Sequence, residues 1–142
     1  GAEDATVSIS SELAYWRDLG ANDLADMLRE SGIRYRVIVI SACHAGSFIY
    51  ALGDENTIVL TAAASDRSSF GCSDDNDLTY FGEAFYRDAL PKAKSLREAF
   101  DNARAAIKER ESREGRTPSN PQAYFGKALE PKLAAMEAAR AK

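Results

Sequence analysis

A chain of 142 residues has room for one domain with one core, and 45% hydrophobic with 28% charged residues is ordinary for a soluble globular protein. The net charge of −4, with both signs interspersed, gives nucleic-acid binding no electrostatic support. No apolar run approaches the roughly 18–20 residues that would span a membrane.

The N-terminus lacks the charged-then-apolar pattern of a secretory signal, so any export or anchoring information lies outside this stretch and the compartment stays open. Cys43 and Cys72 are too few, and too unlike in setting, for a disulfide framework. One histidine and two separated cysteines lack the paired spacing of a zinc site, and no metal or cofactor is expected.

In chain order, Thr6-Val7-Ser8-Ile9-Ser10 alternates polar and apolar residues and predicts a short, half-exposed strand. The Ser-Glu-Leu-Ala-Tyr-Trp stretch at 11–16 is ambiguous. Residues 22–31 predict a helix with Leu24, Met27 and Leu28 on one face, capped by Asn22 or Asp23 and stopped at Gly32. The segment over residues 34–40, with its unbroken β-branched end Val37-Ile38-Val39-Ile40, predicts a strand buried on both faces. Thr57-Ile58-Val59-Leu60-Thr61 predicts a second. With a short helix over 46–52 between them, they form a right-handed βαβ unit with parallel strands.

Residues 64–77 are polar and turn-rich, a length of loop that often binds ligands. A helix follows from about Thr79 through Leu90, ended by Pro91. Ser95-x-x-Glu98 is a capping box opening another, with Leu96, Phe100 and Ile107 on one face. Residues 115–121 form a loop with two prolines. The alanine-rich tail over 131–142 is helical by propensity, with an end expected to fray. Neither a repeat nor a linker divides 1–142, which read as a single domain.

The chemistry concentrates at Ser41-Ala42-Cys43-His44-Ala45-Gly46-Ser47. Cys43 leaves the carboxyl end of a buried strand, where open α/β sheets bind ligands. Small neighbours give a substrate backbone access to the sulfur, and main-chain N–H groups of the turn suit a developing oxyanion. The bland alternative is a buried structural thiol. His44 is a poor base for Cys43, because adjacent residues leaving a strand point to opposite sides. Cys72 is expected to pack as a small hydrophobe.

This segment resembles the nucleophile turn of the legumain-type (C13) cysteine peptidases, with bacterial members the nearest in pattern. The resemblance continues in register through Thr61-Ala62-Ala63-Ala64, Asp66-Arg67-Ser68-Ser69-Phe70-Gly71-Cys72 and Thr79-Tyr80-Phe81-Gly82-Glu83. It reaches a Ser-x-Pro-Gln-x-x-x-Gly stretch at 119–126. It implies the caspase–hemoglobinase fold: an α/β, three-layer arrangement of a mainly parallel sheet with helices on both faces. This chain would be a partial domain lacking its N-terminal strands. It implies a thiol endopeptidase, or a ligase on the same thioester chemistry, with a peptide or protein substrate.

The family's base is a histidine in a His-Gly pair upstream of the cysteine, and no histidine precedes Cys43 here. Gly1 is a candidate for that glycine, contributing an oxyanion-hole N–H; the alternative makes it a residue left by processing. The chain alone is then expected to be inactive, with a complementing N-terminal fragment as a partner. By matched position Ser41, Ser68, Ser69 and Glu83 would line the pocket for the residue before the cleaved bond. Legumains carry acids at the places of Ser41 and Glu83, so the serine weakens the expectation of asparagine preference. The competing readings are a non-catalytic scaffold on the same fold and, more distantly, a nucleotide binder, which lacks its G-x-G-x-x-G turn.

Overall fold

A computed structural model describes residues 5–7, 18–72 and 77–140. Two short strands, β1 (Thr6–Val7) and β2 (Leu19–Gly20), pair antiparallel and lead into α1 (Ala21–Glu30). Then come β3 (Arg36–Ile40), a 3₁₀ turn (Ala45–Phe48) running into α2 (Ile49–Leu52), and β4 (Thr57–Thr61). Helix α3 starts as an α-helix over Tyr80–Gly82 and widens into π winding over Glu83–Ala89. After it come α4 (Leu96–Arg113), β5 (Gln122–Phe125) and α5 (Glu130–Arg140). Gly1 and the 8–10 part of the expected first strand lie outside the described residues, as does the 11–16 stretch.

The larger sheet is mixed, in the order β3-β4-β5. The parallel arrangement expected for β3 and β4 holds, with Val37 opposite Ile58 and Ile40 opposite Thr61. Strand β5, hidden in sequence behind Pro121, adds antiparallel to the other side of β4. Asp54 fixes the start of the β3–β4 pair: its Oδ2 accepts from Arg36 Nη2 at 2.6 Å and its Oδ1 from Thr57 Oγ1 at 2.7 Å.

Alternation along β4 sends Ile58 and Leu60 to one face and Val59 to the other. On the first face they meet Phe81 and Phe85 of α3 and Ala99, Phe100, Ala103 and Ile107 of α4. On the second, Val59 and Ile40 meet Ala21 and Ala25 of α1, Phe48, and Leu52 of α2. Every residue of β4 is buried.

Strand β3 is not buried on both faces as its composition suggests, since Val37 is 46% exposed. It lies at the edge of the sheet and has a strand neighbour on one side only among the described residues. In α1 the buried positions are Ala21 and Ala25 with Leu24 and Leu28 beside them, while Met27 is 58% exposed. That helix begins one residue earlier than expected, at Ala21, with Gly20 in the N-cap position and no side-chain cap. Gly32 does take the left-handed conformation that ends it, at φ 72°.

Both predicted helix starts on the other face hold. Thr79 Oγ1 accepts from the Gly82 N–H at 3.0 Å, and Ser95 Oγ from the Glu98 N–H at 3.1 Å. The reciprocal arm of the capping box shifts by one residue, Glu98 accepting from the Lys94 N–H at 2.8 Å. The π winding of α3 closes with the Leu90 N–H bonded to the Phe85 carbonyl at 2.8 Å. Helix α5 forms through Arg140. Among the described residues no helix is long and apolar enough to cross a membrane.

Candidate active site

The Cys43 turn is anchored from below by Ala45 and Phe48, both fully buried in the α1–α2 side of the core. Between β3 and that anchor the chain must reverse sharply. It does so at His44, which adopts φ 59° and ψ 16°. This left-handed conformation costs a residue with a Cβ about 1–2 kcal/mol. It is held by a web of bonds to the segment after β4. The His44 N–H donates to the Arg67 carbonyl at 2.8 Å, and the Gly46 N–H to the Ala63 carbonyl at 2.9 Å. The His44 ring adds a bond from Nδ1 to the Ser65 carbonyl oxygen at 2.9 Å, which places the proton on that nitrogen. Strain confined to the residue after a half-buried thiol is common at functional turns.

Among the described residues, the sulfur of Cys43 finds its hydrogen-bond partners on Ser69, across the turn. The Ser69 N–H donates to Sγ at 3.2 Å, the thiol lies 3.5 Å from the Ser69 carbonyl, and Ser69 Oγ is 3.6 Å away. Ser69 itself is 8% exposed. The main-chain N–H of Cys43 makes no hydrogen bond to a described residue. Cys43 and Cys72 are both free thiols; Cys72 is exposed rather than packed as a small hydrophobe.

The structure therefore brings Cys43 and Ser69 into contact and sets Ser41 two residues before the thiol. The Ser41 hydroxyl lies 2.9 Å from Thr79 Oγ1, the same oxygen that caps α3, so the exit of β3 is tied to the start of that helix. Ser68 is exposed on the loop. Glu83 stands one turn into α3, and its carboxylate is already occupied: Oε2 accepts from Arg110 Nη1 at 2.8 Å and Oε1 from Arg87. Arg110 first, and then Arg87, holds the Glu83 carboxyl below the ordinary range. Among the described residues no three His, Cys, Asp or Glu side chains gather in a way that would hold a metal ion.

Sequence reasoning missed the charged cluster behind this site. Glu114 accepts from Arg116 Nε at 2.8 Å, from Tyr80 Oη at 2.5 Å and from Arg110 Nε at 3.0 Å. The Arg110 guanidinium lies 3.5 Å above the Tyr80 ring, and that of Arg116 lies 4.8 Å from the centre of the Phe70 ring. Loop residue Phe70 is thus joined to α3 and to the end of α4. The only trace of this in the sequence is the aromatic pair Phe70 and Tyr80, because their cationic partners lie 30 or more residues downstream.

These donors, Arg116 foremost and then Tyr80 and Arg110, bring the Glu114 carboxyl down to about 2 from 4.5. A lowered folded-state value means that the stabilisation is complete above about 4.5 and is lost as pH falls toward 2. Thermal melts should accordingly show a fall in midpoint across that acid range. Glu114→Gln should lower the midpoint at pH 7 and flatten that part of the curve. An unchanged acid slope in the variant would show that the cluster adds nothing to stability.

No curated protein matches the chain significantly. The model of the peptidase C13 family does, over residues 1–131, a stretch that includes the Cys43 turn, the Ser69 loop, α3, α4 and β5. The chain belongs to the peptidase C13 family.

Proposed function

We propose that this chain carries the nucleophile of a cysteine endopeptidase of the legumain type, on a three-layer caspase-like fold. The observation that carries this reading is the Cys43 turn. A half-buried thiol stands just beyond the end of β3, followed by a left-handed residue, with its own N–H bonded to no described residue. Cys43 Sγ attacks the carbonyl carbon of the scissile bond, and its proton passes to a histidine imidazole. The tetrahedral oxyanion is held by the Cys43 N–H, with the Gly1 N–H as the second donor. Collapse breaks the C–N bond, the amine leaves with the transferred proton, and a thioester remains. Water then hydrolyses the thioester, returning the thiol and releasing the new carboxylate.

Ser41, Ser68 and Ser69 line the pocket for the residue before the cleaved bond. Glu83, its charge met by Arg110 and Arg87, shapes the wall of that pocket. The histidine comes from a segment upstream of Gly1 or from a complementing fragment, so residues 1–142 alone cleave no peptide. The chain's lack of a histidine before Cys43 favours one other reading, a scaffold on the same fold.

The test is cleavage of a mixed synthetic peptide pool by the full-length protein, followed by mass spectrometry. Cys43→Ala should lower turnover on the order of 10⁴-fold or more. Cleavage undiminished in that variant would remove Cys43 from the chemistry.

A further inference from the structure

Helix α4 carries a carboxylate that the chemistry above does not use. Glu111 is 2% exposed and has no cationic partner among the described residues. Its Oε2 accepts from the Ser119 N–H at 3.1 Å. Among the described residues its Oε1 is buried without a hydrogen bond, and so is the hydroxyl of Ser119, which is itself buried. Buried carboxyl groups are costly, and one kept for a single backbone N–H calls for an explanation.

What Ser119 does next supplies it. Its carbonyl accepts from the Ala64 N–H at 2.9 Å, in the turn that leaves β4. That turn is the seat of the Cys43 loop. The Arg67 N–H donates to the Ala64 carbonyl at 3.1 Å, and the Arg67 carbonyl takes the His44 N–H. The backbone of Ala64 and Ser65 also lies directly against Gly46, leaving no room for a Cβ there.

We propose that Glu111 is a positioning residue for the Cys43 turn, acting through Ser119 and Ala64. This rests on the reading of Cys43 as the functional thiol, although the relay itself is a matter of backbone bonds. Without the carboxylate the buried Ser119 N–H loses its acceptor, the 117–121 segment relaxes, and the support beneath His44 and Gly46 goes with it. Glutamine keeps an acceptor oxygen at the same place and restores the relay.

The test follows the two thiols of the same chain, with exposed Cys72 as the internal reference. Iodoacetamide modification of each is timed by peptide mapping, and hydrogen exchange is measured at Ala64, Gly46 and Ser119. Glu111→Ala should change the Cys43-to-Cys72 rate ratio and speed exchange at those three amides on the order of tenfold. Glu111→Gln should match the parent chain in both readouts. Ile107→Ala, buried on the same helix but outside the relay, serves as the control for general loss of stability. It should leave the Cys43-to-Cys72 ratio unchanged. The proposal is overturned if Glu111→Ala leaves ratio and exchange alone, if glutamine fails to restore them, or if Ile107→Ala moves them equally. None of these readouts requires peptide cleavage, so a failure of the relay and a failure of the peptidase reading are told apart.

Discussion

Gly46→Ala should slow covalent capture of Cys43 by a peptidyl acyloxymethyl ketone on the order of 10²-fold in the full-length protein. The Cβ of an alanine at this position would stand 2.7 Å from the Ser65 nitrogen and 2.9 Å from the Ala64 carbonyl carbon. Both are backbone atoms, fixed by the Gly46-to-Ala63 and Ala64-to-Ser119 bonds, so no side chain can swing aside. The turn must move off its seat, and with it the sulfur and the Cys43 N–H. Overpacking of this kind costs about 1–3 kcal/mol of stability. Cys72 is already exposed and should react with iodoacetamide at its former rate. Undiminished capture of Cys43 would show that the turn tolerates displacement and that its geometry is not what directs the thiol.

The largest loss of stability is expected from Phe100→Ala. Phe100 is 1% exposed at the centre of the α3–α4 side of the core, with the Phe81 ring centre 6.3 Å away and the Arg104 guanidinium over its face at 5.9 Å. Removing a buried phenyl ring costs about 3–5 kcal/mol, for transfer and for the cavity left behind. In a chain of this size that lowers the thermal midpoint by roughly 10–20 °C. Met136→Ala on α5, where the methionine is exposed, should change stability by less than about 0.5 kcal/mol. Equal midpoints for the two variants would place the core elsewhere.

Much of the fold is written locally and could be read from the sequence. Strand β4 is five residues of apolar and β-branched character with one face for each cluster, and its observed bounds are the expected ones. Thr79 and Ser95 cap their helices because a hydroxyl three residues before a free N–H is a purely local signal. The misses have non-local causes. Strand β3 has the composition of a central strand but lies at an edge, and edge position depends on partners rather than on its own residues. Met27 reads as more apolar than Ala21 and Ala25, yet the positions of α1 that join the cluster with Phe48, Leu52 and Val59 are the two alanines. Strand β5 is only four residues long and follows a proline, so nothing within it outweighs the turn signal.

The candidate site divides in the same way. Cys43 and its small neighbours are a contiguous motif at a strand end, legible from spacing and from resemblance. The contact of Cys43 with Ser69 joins residues 26 apart, and the Glu83–Arg110 pair spans 27. Neither partner carries a local mark. Glu83 was therefore legible as an acid at a matched place, but not as one whose charge is already met. Arg110 and Glu111 are adjacent on α4 and serve different networks, one binding Glu83 and Glu114 and the other Ser119. Helical spacing alone cannot distinguish them.

The most direct test of the central claim is the intact mass of the full-length protein, and of residues 1–142, after exposure to a peptidyl acyloxymethyl ketone, with Cys43→Ala as the control. The account predicts one adduct on the full-length protein, at Cys43, absent from the variant and from residues 1–142 alone. A full-length protein that takes up no adduct while iodoacetamide still modifies Cys43 would contradict it, leaving a reachable thiol that no peptide substrate engages.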